Sequence, residues 1–153
     1  MGLFNKSKSN AAIDHVGALL DETFEAGSFH FDGDSAWIGR LNSTAVVVKV
    51  WAENEIASTV HISARVIQDV KITPELCYAL LTENRFRVGR WEVEMDDDGS
   101  GKGVVMLGVD LINWEGSLDA VELNQTINLV AESADEIDEE LVARFGGTTT
   151  FSN

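Results

Sequence analysis

The sequence predicts an α+β fold: an antiparallel sheet of about five to six strands, with an N-terminal, a middle and a long C-terminal helix packed on one side. Three observations predict it. Apolar residues near the start recur at three- or four-residue steps, between Phe29 and Val66 the period drops to two, and toward the carboxyl end a heptad-like seam returns. The strand-like segments follow one another without intervening helices. That order favours hairpin-connected antiparallel pairing over β-α-β crossovers.

Ile13, Val16, Leu20 and Phe24, interleaved with Asp14, Asp21 and Glu22 and closed by Ala26-Gly27, predict a short amphipathic helix. Phe29 and Phe31 alternate with polar neighbours. Asp32-Gly33-Asp34 supplies turn residues tolerant of positive φ before Ala36-Trp37-Ile38 resumes an extended pattern, so this segment reads as a hairpin. Asn42-Ser43-Thr44 and residues 52–58 are two further turns, separating Val46, Val48 and Val50 from Val60, Ile62, Ala64 and Val66. The result is four consecutive antiparallel strands.

Thr73-Pro74-Glu75 offers a capping hydroxyl, a proline where its missing N–H costs nothing and an acid at the positive helix end. A helix follows through Leu76, Leu80 and Leu81 and ends near Asn84. Trp91, Val93 and Met95 alternate with Arg90, Glu92 and Glu94. After an Asp/Gly turn, residues 104–114 are nearly all apolar, as suits a strand buried on both faces. The last helix opens at or near Ser117. Its residues Leu123, Ile127, Val130, Ala134, Ile137 and Leu141 form a heptad seam, with the acids from Glu132 to Glu140 off the seam in water and Gly146-Gly147 as the stop.

A chain of 153 residues buries about 68–70% of its unfolded surface, enough for one core without metal or disulfide. The domain is expected over residues 11–147, preceded by a disordered segment at 1–10 and followed by a mobile tail at 148–153. With 26 acids against 11 bases, the formal charge of −15 repels phosphates and anionic lipid, which argues against nucleic acid or membrane as partner. No stretch approaches the roughly 18 apolar residues of a span, and the start lacks the apolar middle of a secretory signal. A cytoplasmic location is expected. The single Cys77, among Leu76, Leu80 and Leu81, reads as a small apolar residue.

No catalytic, cofactor-binding or metal-ligating residue is assigned. The stretch MDDDGSGKG has Asp96 where a phosphate loop needs its first glycine, and Leu107 where a calcium loop needs its bidentate Glu. It reads as a solvated hairpin turn, with weak divalent binding as the alternative. His15, His30 and His61 lack the spacing of a zinc site and read as surface or rim histidines. Glu92 and Glu94 share one face of a strand, as acid and base would, but they alternate with apolar residues as any solvent face does.

The four tryptophans, Trp37, Trp51, Trp91 and Trp114, fill a core or line a contact face. Trp51 has the opposite parity to Val46, Val48 and Val50, so an indole is expected on the other side of the sheet. The expected partner-binding residues are Trp51, Trp91 and Trp114 together with Val105, Leu107 and Val109.

The element order resembles the YbjN-like family, labelled as bacterial sensory transduction regulators, whose domain is similar to the class I type III secretion chaperone fold. Leu80-Leu81-Thr82-Glu83-Asn84 followed by Gly89-Arg90-Trp91 carries the resemblance, with Ala134-Asp135, Leu141 and Phe145-Gly146-Gly147. It covers roughly residues 11–147. The resemblance implies a sheet with helices on one side, often paired into a homodimer, that binds a polypeptide or regulatory partner; it brings no catalytic motif. The expected function is a non-enzymatic protein-binding, chaperone-like or regulatory module without cofactor, acting on a protein partner or its own twin through an apolar sheet or helix surface. A small-molecule sensor with a pocket between helix and sheet is the alternative.

Overall fold

The computed structural model describes residues 5–52, 56–83 and 89–151. The elements run α1 (Asn5–Thr23), β1 (Phe29–Phe31), β2 (Ala36–Leu41), β3 (Thr44–Ala52), β4 (Ala57–Lys71), α2 (Pro74–Thr82), β5 (Arg90–Met95), β6 (Lys102–Trp114) and α3 (Ala120–Phe145). The six strands form one antiparallel sheet in the order β1-β2-β3-β4-β6-β5. The first four strands are sequential neighbours, whereas β6 returns between β4 and β5. The turn at 52–58 and the helix end near Asn84 fall partly outside the described residues.

The hairpin after β1 is tied by Asp32, whose Oδ1 accepts the backbone N–H groups of Asp34, Ser35 and Ala36 at 2.8, 3.1 and 3.1 Å. Those donors hold its carboxyl below the usual carboxylate range. Helix α2 begins as its sequence predicts, with Thr73 Oγ1 accepting the Leu76 N–H at 3.2 Å and Pro74 in the first turn. Helix α3 is capped by Asp119, two residues past Ser117, which accepts the Glu122 N–H at 2.8 Å; it stops at Gly146, where φ is 81°.

The core lies between the sheet and α1 and α3. Val46, Val48 and Val50 of β3, Val60, Ile62 and Ala64 of β4, and Val105, Leu107 and Val109 of β6 point to the helical side. Leu123, Ile127, Val130, Ala134 and Leu141 of the α3 seam close over them. Each such valine, leucine or isoleucine contributes about 1.5–3 kcal/mol by leaving water. His15 Nε2, 2.9 Å from the Leu118 carbonyl, anchors α1 at the entry to α3.

Several expectations are corrected. Helix α1 begins at Asn5, well ahead of the apolar period that opens at Ile13: a helix once nucleated propagates back through polar residues that carry no such period. Thr148 exchanges two 2.9 Å backbone hydrogen bonds with Gln68, and the Phe151 ring lies 4.3 Å beneath the Arg40 guanidinium. Two of the α3 acids leave water: Asp138 is buried and Asp135 half-buried, because both face Ser43 in the β2–β3 turn. Asp135 Oδ1 accepts the Ser43 N–H at 3.2 Å and takes the hydroxyl as well, while Asp138 Oδ2 lies 2.9 Å from that hydroxyl.

β6 is covered on one face only. Its odd positions are buried, apart from half-buried Leu111, but Ile112 and Trp114 are exposed on the other side and Met106 is half-covered. Aliphatic residues there reflect β propensity and a role outside the core. β4, at 15 residues, changes register against β6 around Ile67, and the irregularity lets Val66 and Ile67 both reach the core.

One-sided coverage predicts unequal mutational costs. Ile127→Ala should lose about 2–5 kcal/mol in urea unfolding, whereas Ile112→Ala should lose less than about 1 kcal/mol. Equal losses would mean that both faces are sealed.

Candidate functional site on the open face of the sheet

Strand alternation sends a second set of side chains away from the helices: Ile38 of β2, Val47, Lys49 and Trp51 of β3, Thr59, His61, Ser63 and Arg65 of β4, and Asp110, Ile112 and Trp114 of β6. Four large apolar residues remain uncovered there: Ile38 is 49% exposed, Trp51 41%, Ile112 61% and Trp114 51%. Ile56, also exposed, accepts the Glu115 N–H through its carbonyl at 2.8 Å beside Trp114.

A closed ring of charge sits among them. His61 on β4 faces Asp110 on β6 across one ladder step, and its Nδ1 lies 2.7 Å from Asp110 Oδ1. Its Nε2 lies 3.1 Å from Glu92 Oε2 of β5. Arg90 completes the circuit, with Nη2 2.9 Å from Glu92 Oε1 and Nη1 2.8 Å from Asp110 Oδ2. Gly108 permits this closure: it separates β4 from β5 on this face, and any Cβ there would collide with the Glu92 carboxylate lying over it.

The His61 ring lies between two carboxylates, hydrogen-bonded to Asp110 through Nδ1 and 3.1 Å from Glu92 at Nε2, and the Arg90 guanidinium faces both acids. Burial pushes the Asp110 carboxyl up, but hydrogen bonds from Arg90 and His61 outweigh it and hold the group below the usual carboxylate range. Arg90 is raised, first by its bond to Asp110. The Trp51 indole stacks on His61 at 5.1 Å and 19° between planes, and Lys49 Nζ lies 5.6 Å from the Trp51 ring. The ring thus fixes His61, and His61 fixes Trp51.

Both nitrogens of His61 are turned toward carboxylates within the ring and neither is aimed outward. Among the described residues no group of three or more His, Cys, Asp and Glu side chains could hold a metal ion. The Asp96–Lys102 turn is held internally, Asp98 accepting the Ser100 N–H at 2.8 Å. What the open face offers is a pre-set apolar and aromatic surface around an internally paired polar hub.

Of the six residues expected to bind a partner, Trp51 and Trp114 lie on this face. Val105, Leu107 and Val109 are turned the other way and buried in the core; the parity of β6 separates them from Ile112 and Trp114. Trp91 is half-buried on the helical side, beside Ala79, Leu80, Ile137 and Leu141. There a cavity of about 10 Å³, room for about one water, is bridged by Arg144, which donates to Glu83 at 2.7 and 2.9 Å. His61 is not a rim residue, and Glu92 is part of the ring rather than a plain solvent face. Asp110, a lone acid inside an apolar run, is the signal that a charge partner sits across the sheet, but only strand register names it.

A family model described as "T3SS (YopN, CesT) and YbjN peptide-binding chaperone 1", TY-Chap1, matches residues 10–153. Among solved structures, the crystal structure of an uncharacterized protein from Methanothermobacter thermautotrophicus matches with a TM-score of 0.50 at 12% identity. The match covers 86% of this chain and 96% of that one, a likeness of fold alone. No curated protein matches the chain.

The charge ring has a pH signature. Asp110 has a folded pKa below its unfolded value, so its contribution is complete above about pH 4 and is lost as pH falls through the lower folded value. Asp110→Asn should cost about 1 kcal/mol at pH 7, a modest figure because the side chain is one-third exposed and screened by solvent. In urea titrations the gap to the parent chain should close below about pH 4. An unchanged gap at pH 3 would remove Asp110 as its source.

Proposed function

As the chain belongs to the TY-Chap1 family of peptide-binding chaperones, we propose that it is a non-enzymatic module that holds a polypeptide segment against the open face of its sheet, working as a homodimer. The observation that carries this reading is the co-location of Ile38, Trp51, Ile112 and Trp114 on the one sheet face that no helix covers. Aromatic side chains in well-packed contacts dominate interface energetics, and an indole held rigid before binding loses less entropy when a partner arrives. The His61 stack supplies that rigidity for Trp51. No helix among the described residues is long and apolar enough to cross a membrane.

A second apolar area supports self-association. Tyr78 and Leu81 of α2 are exposed, as are Val93 and Met95 on the helical side of edge strand β5, two elements that meet around Trp91. An unpaired strand edge flanked by apolar side chains suits an isologous contact with a second copy.

Unfolded model polypeptides should bind the parent chain. Trp51→Ala and Trp114→Ala should each weaken binding at least about tenfold in calorimetric titrations. Binding that survives both substitutions unchanged would move the site elsewhere. Light scattering after gel filtration should give twice the chain mass at micromolar concentration, and Leu81→Glu with Val93→Glu should halve it; a strictly monomeric parent chain would contradict the dimer.

A further inference from the structure

The charges of the open face differ from those of the rest of the molecule. Six of the chain's 11 bases sit at its strand positions, Arg40, Lys49, Arg65, Lys71, Arg90 and Lys102, against three of its 26 acids, Glu92, Glu94 and Asp110, with Asp69 reaching Lys102 at 3.2 Å. Glu92 and Asp110 are consumed within the ring, together with Arg90. What remains for a partner is chiefly cationic. Lys49, Arg65 and Arg40 make no ion pair among the described residues, and Glu94 stands apart on the edge strand. Lys49 lies opposite His61 and beside Trp51, Arg65 lies opposite Met106, and Arg40 lies two residues from Ile38 on the same side of β2. The cations therefore border the apolar residues that the docking reading uses.

Backbone chemistry adds a second constraint. A segment laid on the face of a sheet, rather than along its edge, finds no strand N–H or C=O groups to pair with, because those are engaged within the ladders. It must satisfy its own backbone, and an α-helix does so. The face crosses six strands at about 4.8 Å spacing, which a helix of about 16–18 residues spans at 1.5 Å per residue.

We propose that the occupant of the open face is an acidic amphipathic helix of a partner protein, its apolar stripe on Ile38, Trp51, Ile112 and Trp114 and its carboxylates on Lys49, Arg65 and Arg40. This inference rests on the docking reading of the same face. The overall charge of −15 does not defeat it: at physiological salt the field of distant carboxylates is screened within about 8 Å, whereas contacts at the site lie inside that range. The repulsion instead disfavours every other surface for such a helix, so it orients the partner as well as slowing its approach.

Two synthetic 18-residue peptides with the same apolar stripe, one with Glu and one with Lys at the flanking positions, test the proposal by calorimetric titration at about 0.15 M salt. The Glu peptide should bind the parent chain about tenfold more tightly than the Lys peptide. Lys49→Glu with Arg65→Glu should reverse that order, and Lys49→Gln with Arg65→Gln should abolish it, each variant retaining the parent far-ultraviolet dichroism. A Lys peptide that binds as well as or better than the Glu peptide, with loss of binding in Trp114→Ala, overturns the acidic helix and leaves the docking face standing. If neither peptide binds, or if Trp51→Ala and Trp114→Ala leave binding unchanged, the docking reading falls and this inference with it. Loss of the dimer in the Lys49→Glu, Arg65→Glu variant, with neither peptide bound, would give the face to a second copy and overturn the partner helix.

Discussion

Helix α3 lies across β3, β4 and β6, and the consequences of that single contact run through the molecule. By seating Leu123, Ile127, Val130, Ala134 and Leu141 on the inward valines and leucines, it commits one face of the sheet to the core. Helix α1 packs beside it against β3, and no described helix crosses to the other side. A six-stranded sheet covered once must present its second face to water or to another protein. The two faces are inseparable in sequence, because every strand residue that points inward has neighbours that point outward.

The outward face meets this constraint with a mixture. Its centre is polar, a paired ring of His61, Asp110, Arg90 and Glu92 closed over Gly108; beside it stand Trp51, Ile112 and Trp114. A wholly apolar face would invite indiscriminate association, and a wholly charged one would hold nothing. Pairing the charges among themselves makes the centre cheap to cover, since a partner need not supply counter-charges for it. The stack of Trp51 on His61 links this electrostatic arrangement to the aromatic contact surface.

Much of this is legible in the sequence where a single element determines the outcome. The α3 seam, the Thr73-Pro74 start of α2 and the Asp32-Gly33-Asp34 hairpin are local signals, and each appears where its residues predict. The outward parity of Trp51 is likewise readable from its own strand. What is not legible depends on partners far away in the chain. His61 and Asp110 are 49 residues apart and meet only through the β4–β6 register. Ser43 draws Asp135 and Asp138 out of water from 92 and 95 residues away. Thr148 closes on Gln68, whose position depends on the irregular β4–β6 pairing before it. Residues 104–114 mislead for a different reason: an apolar outward row looks the same in sequence whether a helix of the same chain or another protein covers it.

Chemical-shift mapping by NMR, with a bound polypeptide segment, bears most directly on the claim that the uncovered side of the sheet is where a partner sits. The indole N–H signals of Trp51 and Trp114 and the methyl signals of Ile38 and Ile112 should move on binding, while those of Ile127 and Ile62 in the core stay in place. Shifts confined to the outer surfaces of α1 and α3, with all four open-face residues unmoved, would contradict the account.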